Sequence, residues 1–159
     1  MMNSLVGVRR LNGADVQVMR DVVAMLPVPE WRDERVPGLG YLAEALDDPC
    51  VYVFAAFEDE RPAGFVSAYR FPLLTRACQL AYIYDVYVAP GAQASGVGRR
   101  LMESVIAECR REGVQEAWVG PDLDTEAARR LFISNGATDG AQEYIQFEFD
   151  LGVSDGEDS

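Results

Sequence analysis

The sequence predicts a mixed α/β (α+β) fold: one mostly antiparallel central sheet of about six to seven strands, with helices on both faces. Two observations predict it. β-rich runs at Val51–Phe57 and Ala63–Arg70 are joined by the turn Glu58-Asp59-Glu60-Arg61-Pro62, which reads as an antiparallel hairpin. Later, strands alternate with amphipathic helices, as strand–helix–strand connections do.

In chain order the elements run β-α-α-β-β-β-α-β-α-β, with room for one more strand. Val6–Arg10 reads as the first strand. Asn12-Gly13 turns the chain, and Val16, Met19, Val22, Val23 and Leu26 follow at helical spacing until Pro27 and Pro29. Residues 27–40 are irregular, and a short helix Tyr41–Leu46 ends at Asp47-Asp48-Pro49. Leu80–Val88 (LAYIYDVYV) is apolar and aromatic on both faces, which places it inside the sheet. Leu101, Met102, Val105, Ile106 and Cys109 form the stripe of a third helix, stopped by Gly113. Glu116–Val119 is the next strand; Ala127, Ala128, Leu131 and Phe132 stripe the fourth helix; Glu143–Phe149 alternates like a final strand. Residues 1–153 read as one domain, and 154–159 (SDGEDS) as an acidic tail with no core of its own.

Composition narrows the function. The 159 residues are 49% hydrophobic, enough for one core. Net charge is −12, and all 14 basic residues are arginine. Such a chain repels phosphate backbones, so nucleic acid is a poor partner and a cationic small molecule a natural one. Solubility alone also accounts for the charge. There is no histidine, which removes the usual general base and the usual zinc ligand. Cys50, Cys78 and Cys109 lack metal-site spacing and read as thiols of a reducing compartment, with no metal expected. No stretch has signal-peptide or membrane-span character, so a cytoplasmic protein without membrane contact is expected.

The segment Gln93-Ala94-Ser95-Gly96-Val97-Gly98 lies between a strong strand and a strong helix. Glycines allow close backbone approach, and a helix N-terminus offers free N–H groups and positive potential. Arg99 and Arg100 follow in the first turn, where a cation opposes the helix dipole. Together they predict a pyrophosphate site. The structural alternative pairs Arg99 with Glu103 and gives the glycines to packing. There is no P-loop lysine, and the third glycine of the dinucleotide fingerprint is missing.

This Q-x-x-G-x-G pattern, after a strand ending Val86-Tyr87-Val88 and opening an amphipathic helix, resembles the acetyl-coenzyme A motif of the GNAT superfamily. The resemblance implies a GNAT fold with acetyl-coenzyme A as co-substrate. It places the backbone amides of Ala94, Ser95, Gly96, Val97, Gly98 and Arg99 on the pyrophosphate, with Gln93 and Arg100 also among the cofactor-binding residues. Val86, Tyr87 and Val88 pair with the pantetheine arm as an extra strand would.

Asp85 interrupts an apolar strand and needs a partner. Either it is ion-paired internally, to Arg70 or Arg76, or it is a carboxylate beside the thioester that accepts the amine's proton. YLAEAL (41–46), VYVFAAF (51–57), AY-x-x-P (68–72) and YIYD (82–85) resemble short GNAT-type aminoglycoside 3-N-acetyltransferases. That likeness, over about residues 41–149, implies acetyl transfer to the 3-amine of 2-deoxystreptamine, with Asp85 catalytic and Tyr84 beside it. It also sets Glu143 at the substrate, and homodimers are common among such relatives. Carboxylates suit a polycation, and Asp122, Asp124 and Glu126 are further candidates, with Glu30, Asp33 and Glu34 near Trp31 weaker ones. Helix capping or a solvated surface is the alternative for each.

The resemblance breaks at two positions. Where many GNAT enzymes carry a tyrosine that protonates the leaving thiolate, this chain has Phe132, and the usual Asn one turn earlier is Thr125. Tyr84, Tyr144 or water are left for the proton. Direct transfer in a ternary complex is expected, with a backbone N–H near Val86 or Tyr87 on the oxyanion and Cys109 buried and inert. Two alternatives stay open: a GNAT enzyme for a polyamine or a protein N-terminus, and a non-catalytic acyl-coenzyme A binder.

Overall fold

The computed structural model describes residues 6–27, 36–120, 126–138 and 147–152. Five strands form one sheet in the order β1-β2-β3-β4-β5: Val6–Arg10, Val51–Glu58, Arg61–Leu73, Cys78–Val88 and Val114–Val119. The first four pair antiparallel, and β4 and β5 pair parallel. The expectation of six to seven strands is met by five among the described residues. The expected strand Glu143–Phe149 lies partly outside them, and its described part, Phe147–Phe149, is not in a strand.

Among the described residues four α-helices flank the sheet: α1 Val16–Ala24, α2 Leu39–Asp47, α3 Val97–Arg111 and α4 Glu126–Ser134. They divide the core in two. On one face Leu11, Met19, Val22, Leu42, Leu46 and Phe65 join α1 and α2 to the sheet. On the other, Val97, Leu101, Met102, Val105 and Cys109 of α3 pack on Tyr52, Val66, Ala81 and Ile83, with Leu131 and Phe132 of α4 at the margin. Leu101, Val105 and Val22 are fully buried, each contributing about 2 kcal/mol from removed apolar surface. Over Gly64–Ala68 the even residues of β3 face α3 and the odd ones face α1 and α2, as strand alternation requires, while Ala63, at the β2–β3 register shift, packs on the α3 side.

A buried acid fixes α3 to β1. Glu108 accepts from Arg10 at 2.9 Å and from Arg111 one turn on. Arg10 also donates to the Val51 carbonyl at 3.0 Å and lies over the Tyr52 ring, 4.8 Å from its centre. At the other end of α3, Arg100 donates to the Val6 carbonyl. The helix is thereby held at both ends, so its N-terminus has a fixed position beside β4.

The β2–β3 turn carries strain. Asp59 and Glu60 have φ of 47° and 66°, a region in which Asn and Gly are at ease and Glu is not. Asp59→Asn with Glu60→Gly should therefore raise stability by about 1 kcal/mol, read as a higher denaturant midpoint at unchanged slope.

Candidate active site

The site begins with an extra residue in β4. Ser67 of β3 pairs with Asp85, but its neighbour Ala68 pairs with Ile83, so Tyr84 is a bulge. A bulge inverts the alternation of the strand beyond it and increases twist. Before it, Ala81 and Ile83 face α3; after it, Val86 and Val88 do. Asp85 and Tyr87 are turned to the α1–α2 face.

The same point ends the pairing with β5. The register runs from Gln79–Val114 to Ile83–Val119, and the last bond is Gly120 N–H to the Ile83 carbonyl, 3.2 Å. From Tyr84 to Val88, no strand of the described residues pairs with the outer edge of β4. That leaves a gap in the pairing beside Tyr84–Val88, an open backbone edge among the described residues.

Asp85 lies just past Ile83, the last residue of β4 paired with β5. Its carboxylate accepts from the Ser67 hydroxyl at 2.5 Å, and its own N–H donates to that hydroxyl oxygen at 3.2 Å. Neither expected arginine pairs with it. Arg70 lies on the α3 side and donates to Cys50 Sγ at 3.7 Å, and Arg76 pairs with Glu116 at 3.4 Å. The bulge is the reason: it turns Asp85 away from the face that Arg70 occupies. Of the two readings of this acid, internal ion-pairing with Arg70 or Arg76 is thereby removed.

Three tyrosines cluster near this point of the sheet. The Tyr69 and Tyr84 rings meet edge to face at 6.3 Å, and Tyr82 and Tyr84 are tilted at 6.0 Å. Burial pushes the Tyr69 pKa up, and the negative Asp85 nearby pushes it further, against the opposing effect of the Ser67 hydroxyl. Tyr69 is thus a neutral phenol beside a carboxylate. Ser67, Tyr69 and Tyr82 were not singled out as site residues from the sequence. The usable signal was alternation: Ser67 is the polar member of the run Phe65–Ala68, and Tyr69 shares its face.

The expected anion site falls at the N-terminus of α3. Pro90–Ser95 forms a 3-10 turn, and Gly96, with φ 75°, is the N-cap residue in the left-handed region that suits glycine. No side chain caps this helix and no acid stands in its first turn. The first helical bond is from the Arg100 N–H to the Gly96 carbonyl, so the N–H groups of Val97, Gly98 and Arg99 precede the ladder. An uncapped helix start aimed past the end of β4 fits a pyrophosphate.

Other members of the expected site divide. Gln93 and Ser95 are exposed beside this turn, Ala94 contributes backbone to it, and Val97 is buried in the core. Gly98 lets α3 approach α4, since an added Cβ would lie 3.2 Å from Leu131. Arg99 pairs with Glu103 at 2.9 Å along the helix, the structural alternative given for it, and Arg100 donates to the Val6 carbonyl of β1. The Tyr87 side chain is engaged at the end of α1, donating to the Met25 carbonyl at 3.1 Å, which leaves only its backbone to the gap. Glu126 is exposed and pairs with Arg130 at 3.5 Å. Asp122, Asp124, Thr125, Glu143, Tyr144, Trp31, Glu30, Asp33 and Glu34 lie outside the described residues.

Cys109 is buried among the α3 core residues, and burial lifts its thiol to about 11. The folded pKa exceeds the ordinary thiol value of 9.0, so the native state holds its proton longer than the unfolded chain does. The resulting stability is complete below about pH 9 and is lost as pH climbs through about 11. Cys109→Ala should flatten that alkaline fall, and native Cys109 should resist alkylation that modifies the unfolded chain.

Fold and site together define an acetyltransferase. Residues 17–136 match the model of the acetyltransferase (GNAT) family, and the chain belongs to that family. Enzymes of this family use acetyl-coenzyme A. Solved structures repeat the fold at low identity. An aminoglycoside acetyltransferase from an uncultured soil metagenomic sample, meta-AAC0020 in complex with sisomicin, superposes with a TM-score of 0.80 at 23% identity, over 92% of this chain and 96% of its own. HMB0005, an aminoglycoside acetyltransferase also from soil metagenomic material, gives 0.77 at 21%, over 92% and 99%. The aminoglycoside N-acetyltransferase AAC(6')-Iy in complex with CoA gives 0.73 at 18%, over 94% and 97%. No curated protein matches the sequence. Among the described residues no group of acids and cysteines is arranged to hold a metal, and no helix is long and apolar enough to cross a membrane.

Proposed function

We propose that this chain acetylates an amine of a polycationic aminoglycoside, the 3-amine of the 2-deoxystreptamine ring, with acetyl-coenzyme A as donor. The observation that carries the reading is Asp85: a carboxylate just past the end of the β4–β5 pairing, held by Ser67, with Tyr69 nearby and no arginine paired to it among the described residues. An ammonium is the natural partner of such a group. The tyrosine rings offer faces to a sugar or a cation. The net charge of −12 favours the approach of a polycation. The three structural neighbours named above are aminoglycoside acetyltransferases, which supports the substrate class.

In this reading the uncapped amides of α3 hold the pyrophosphate, and the open edge of β4 aligns the arm that carries the thioester. Asp85 orients the ammonium and takes a proton from it, directly or through water. A backbone N–H of β4 beside Val86 or Tyr87 faces the carbonyl oxygen. The thioester supplies the activated acetyl group, so positioning contributes most of the rate. No enzyme nucleophile is needed, in keeping with the buried Cys109. Three free thiols fit a reducing cytoplasm, and resistance to the drug is the biological consequence proposed.

The test is thiol release from acetyl-coenzyme A with a panel of 2-deoxystreptamine drugs, linear polyamines and peptides. Turnover with the drugs, lost when the 3-amine is already acetylated, supports the reading. Turnover confined to polyamines or peptides overturns the substrate, and coenzyme A binding without turnover of any amine overturns the reaction.

A further inference from the structure

The face of the sheet that carries Asp85 continues beyond it as a row of aromatic rings. On this face α1 and α2 cover Val53, Ala55 and Phe65. Past Ser67, alternation brings Tyr69 and Phe71 of β3 to the same side, and both are exposed. In β4, Ala81 and Ile83 pack toward α3, so Tyr82 points the other way. The Tyr84 ring meets those of both Tyr69 and Tyr82. In β5, Val119 packs toward α3, which turns Trp118, the register partner of Tyr82, onto the aromatic side. Rings from three neighbouring strands thus form one row, about 10 Å across from β3 to β5. Tyr69, Tyr84 and Trp118 keep 42%, 57% and 47% of their surface in water.

We infer that this row, with Trp118 at its far end, holds a second ring of the acceptor and selects a cyclic amino sugar over a linear polyamine. The inference rests on the aminoglycoside reading and adds the residue that gives it ring selectivity.

Trp118 is held as a fixed plane. Its Nε1–H donates to one oxygen of Glu116 at 2.7 Å, and Arg76, in the β3–β4 turn, donates to the other at 3.4 Å. The Trp118 bond, and then Arg76, keep the Glu116 carboxyl below its usual range, so the clamp stays charged. The one polar atom of the indole is satisfied within the protein, and what it shows to solvent is ring. Tyr82 is placed by Gly120, where an added Cβ would lie 2.7 Å from the tyrosine's hydroxyl oxygen. A larger residue at 120 would push that ring out of the row. Exposed aromatic area of this extent is unfavourable in water and adds nothing to the core. A ligand that settles on a surface already fixed loses little affinity to ordering it.

Asp85 defines the chemistry of the occupant. Tyr82 and Tyr84 precede it in β4, whereas Val86–Val88 and the start of α3 follow it. The row is therefore open to the acceptor while the cofactor takes the other side. A purely apolar ligand would leave the carboxylate without a counter-charge, and a linear polyamine would leave the rings in water. A sugar ring bearing ammonium groups uses both: its C–H face lies on the rings, and its charges meet Asp85 and the π faces.

The test uses the full chain saturated with coenzyme A, which carries no acetyl group to transfer. Trp31→Phe leaves Trp118 as the single tryptophan. Its fluorescence is followed during titration with sisomicin, a multi-ring 2-deoxystreptamine drug, or with spermine, a linear polyamine. Sisomicin should change the Trp118 emission and spermine should not. Trp118→Leu, with Trp31 retained, should weaken sisomicin about tenfold by calorimetry and leave spermine unaltered. In turnover the same substitution should raise KM for sisomicin with kcat retained, since the row touches no reacting atom. Glu116→Ala keeps the indole but frees its edge, so the anisotropy of Trp118 emission should fall and sisomicin should weaken by a smaller factor. If the wild type acetylates sisomicin but Trp118→Leu binds it as tightly, or loses spermine equally, the inference is overturned and the aminoglycoside reading stands. A wild-type chain that neither binds nor acetylates sisomicin overturns that reading, and this inference with it.

Discussion

Asp85→Asn lowers kcat/KM for the amine substrate by about a hundredfold or more, while coenzyme A affinity stays at the wild-type value. Asparagine keeps the size and can still accept from the Ser67 hydroxyl, so the bulge and the strand survive. What disappears is the negative charge that orients an ammonium and the base that accepts its proton. Because both act on the reacting amine, the loss should fall on kcat as well as on KM. Steady-state kinetics with varied amine, together with calorimetric titration of coenzyme A, separates the two sites. Ser67→Ala is the natural companion. It removes the 2.5 Å bond that fixes the carboxylate but not the carboxylate itself, and should cost about tenfold at most. If Asp85→Asn turns over at the wild-type rate, Asp85 is a structural acid and the mechanism proposed here is wrong.

Glu108→Ala should destabilise the fold by about 2–3 kcal/mol, at the low end of what removal of one partner from a buried charge cluster costs. Glu108 is buried, but its partners Arg10 and Arg111 keep 32% and 70% of their side-chain surface in water, which softens the penalty. Loss of the carboxylate leaves Arg10 against Tyr52 and the Val51 carbonyl with its charge uncompensated. For a domain of this size that corresponds to a fall in Tm of about 5–10 °C. Glu108→Gln, which retains hydrogen bonding, should recover part of it. Per folded molecule, the affinity for coenzyme A should change little, since Arg100 still holds the other end of α3 to β1. A Tm within a degree of wild type would show that the cluster is electrostatically neutral in the balance of folding.

Much of the fold was legible because it rests on periodicity. The 3.6-residue stripe from Leu101 to Cys109 and the uninterrupted apolar run Val51–Phe57 each admit one reading. Helix boundaries were less legible. α2 starts at Leu39 rather than Tyr41, because the Gly38 backbone, not a side-chain signal, begins it. The glycine turn was found through its place between strand and helix. The fate of its arginines was not, since a first-turn arginine looks the same whether it meets a phosphate, a Glu one turn on or a carbonyl of β1.

The sequence alone determined the order of elements, the membership of Asp85 in an apolar strand, the uncapped start of α3 and the lack of a hydroxyl at position 132. The tertiary structure decided which face each β4 side chain takes. One bulged residue, Tyr84, inverts the alternation, and no local pattern announces it, because a bulge is defined by the partner strand's register. That inversion separates Asp85 from Arg70 and gives it Ser67. The meeting of Tyr82 with Gly120 likewise depends on how β4 and β5 align, a relation between residues 38 positions apart that spacing along the chain cannot carry.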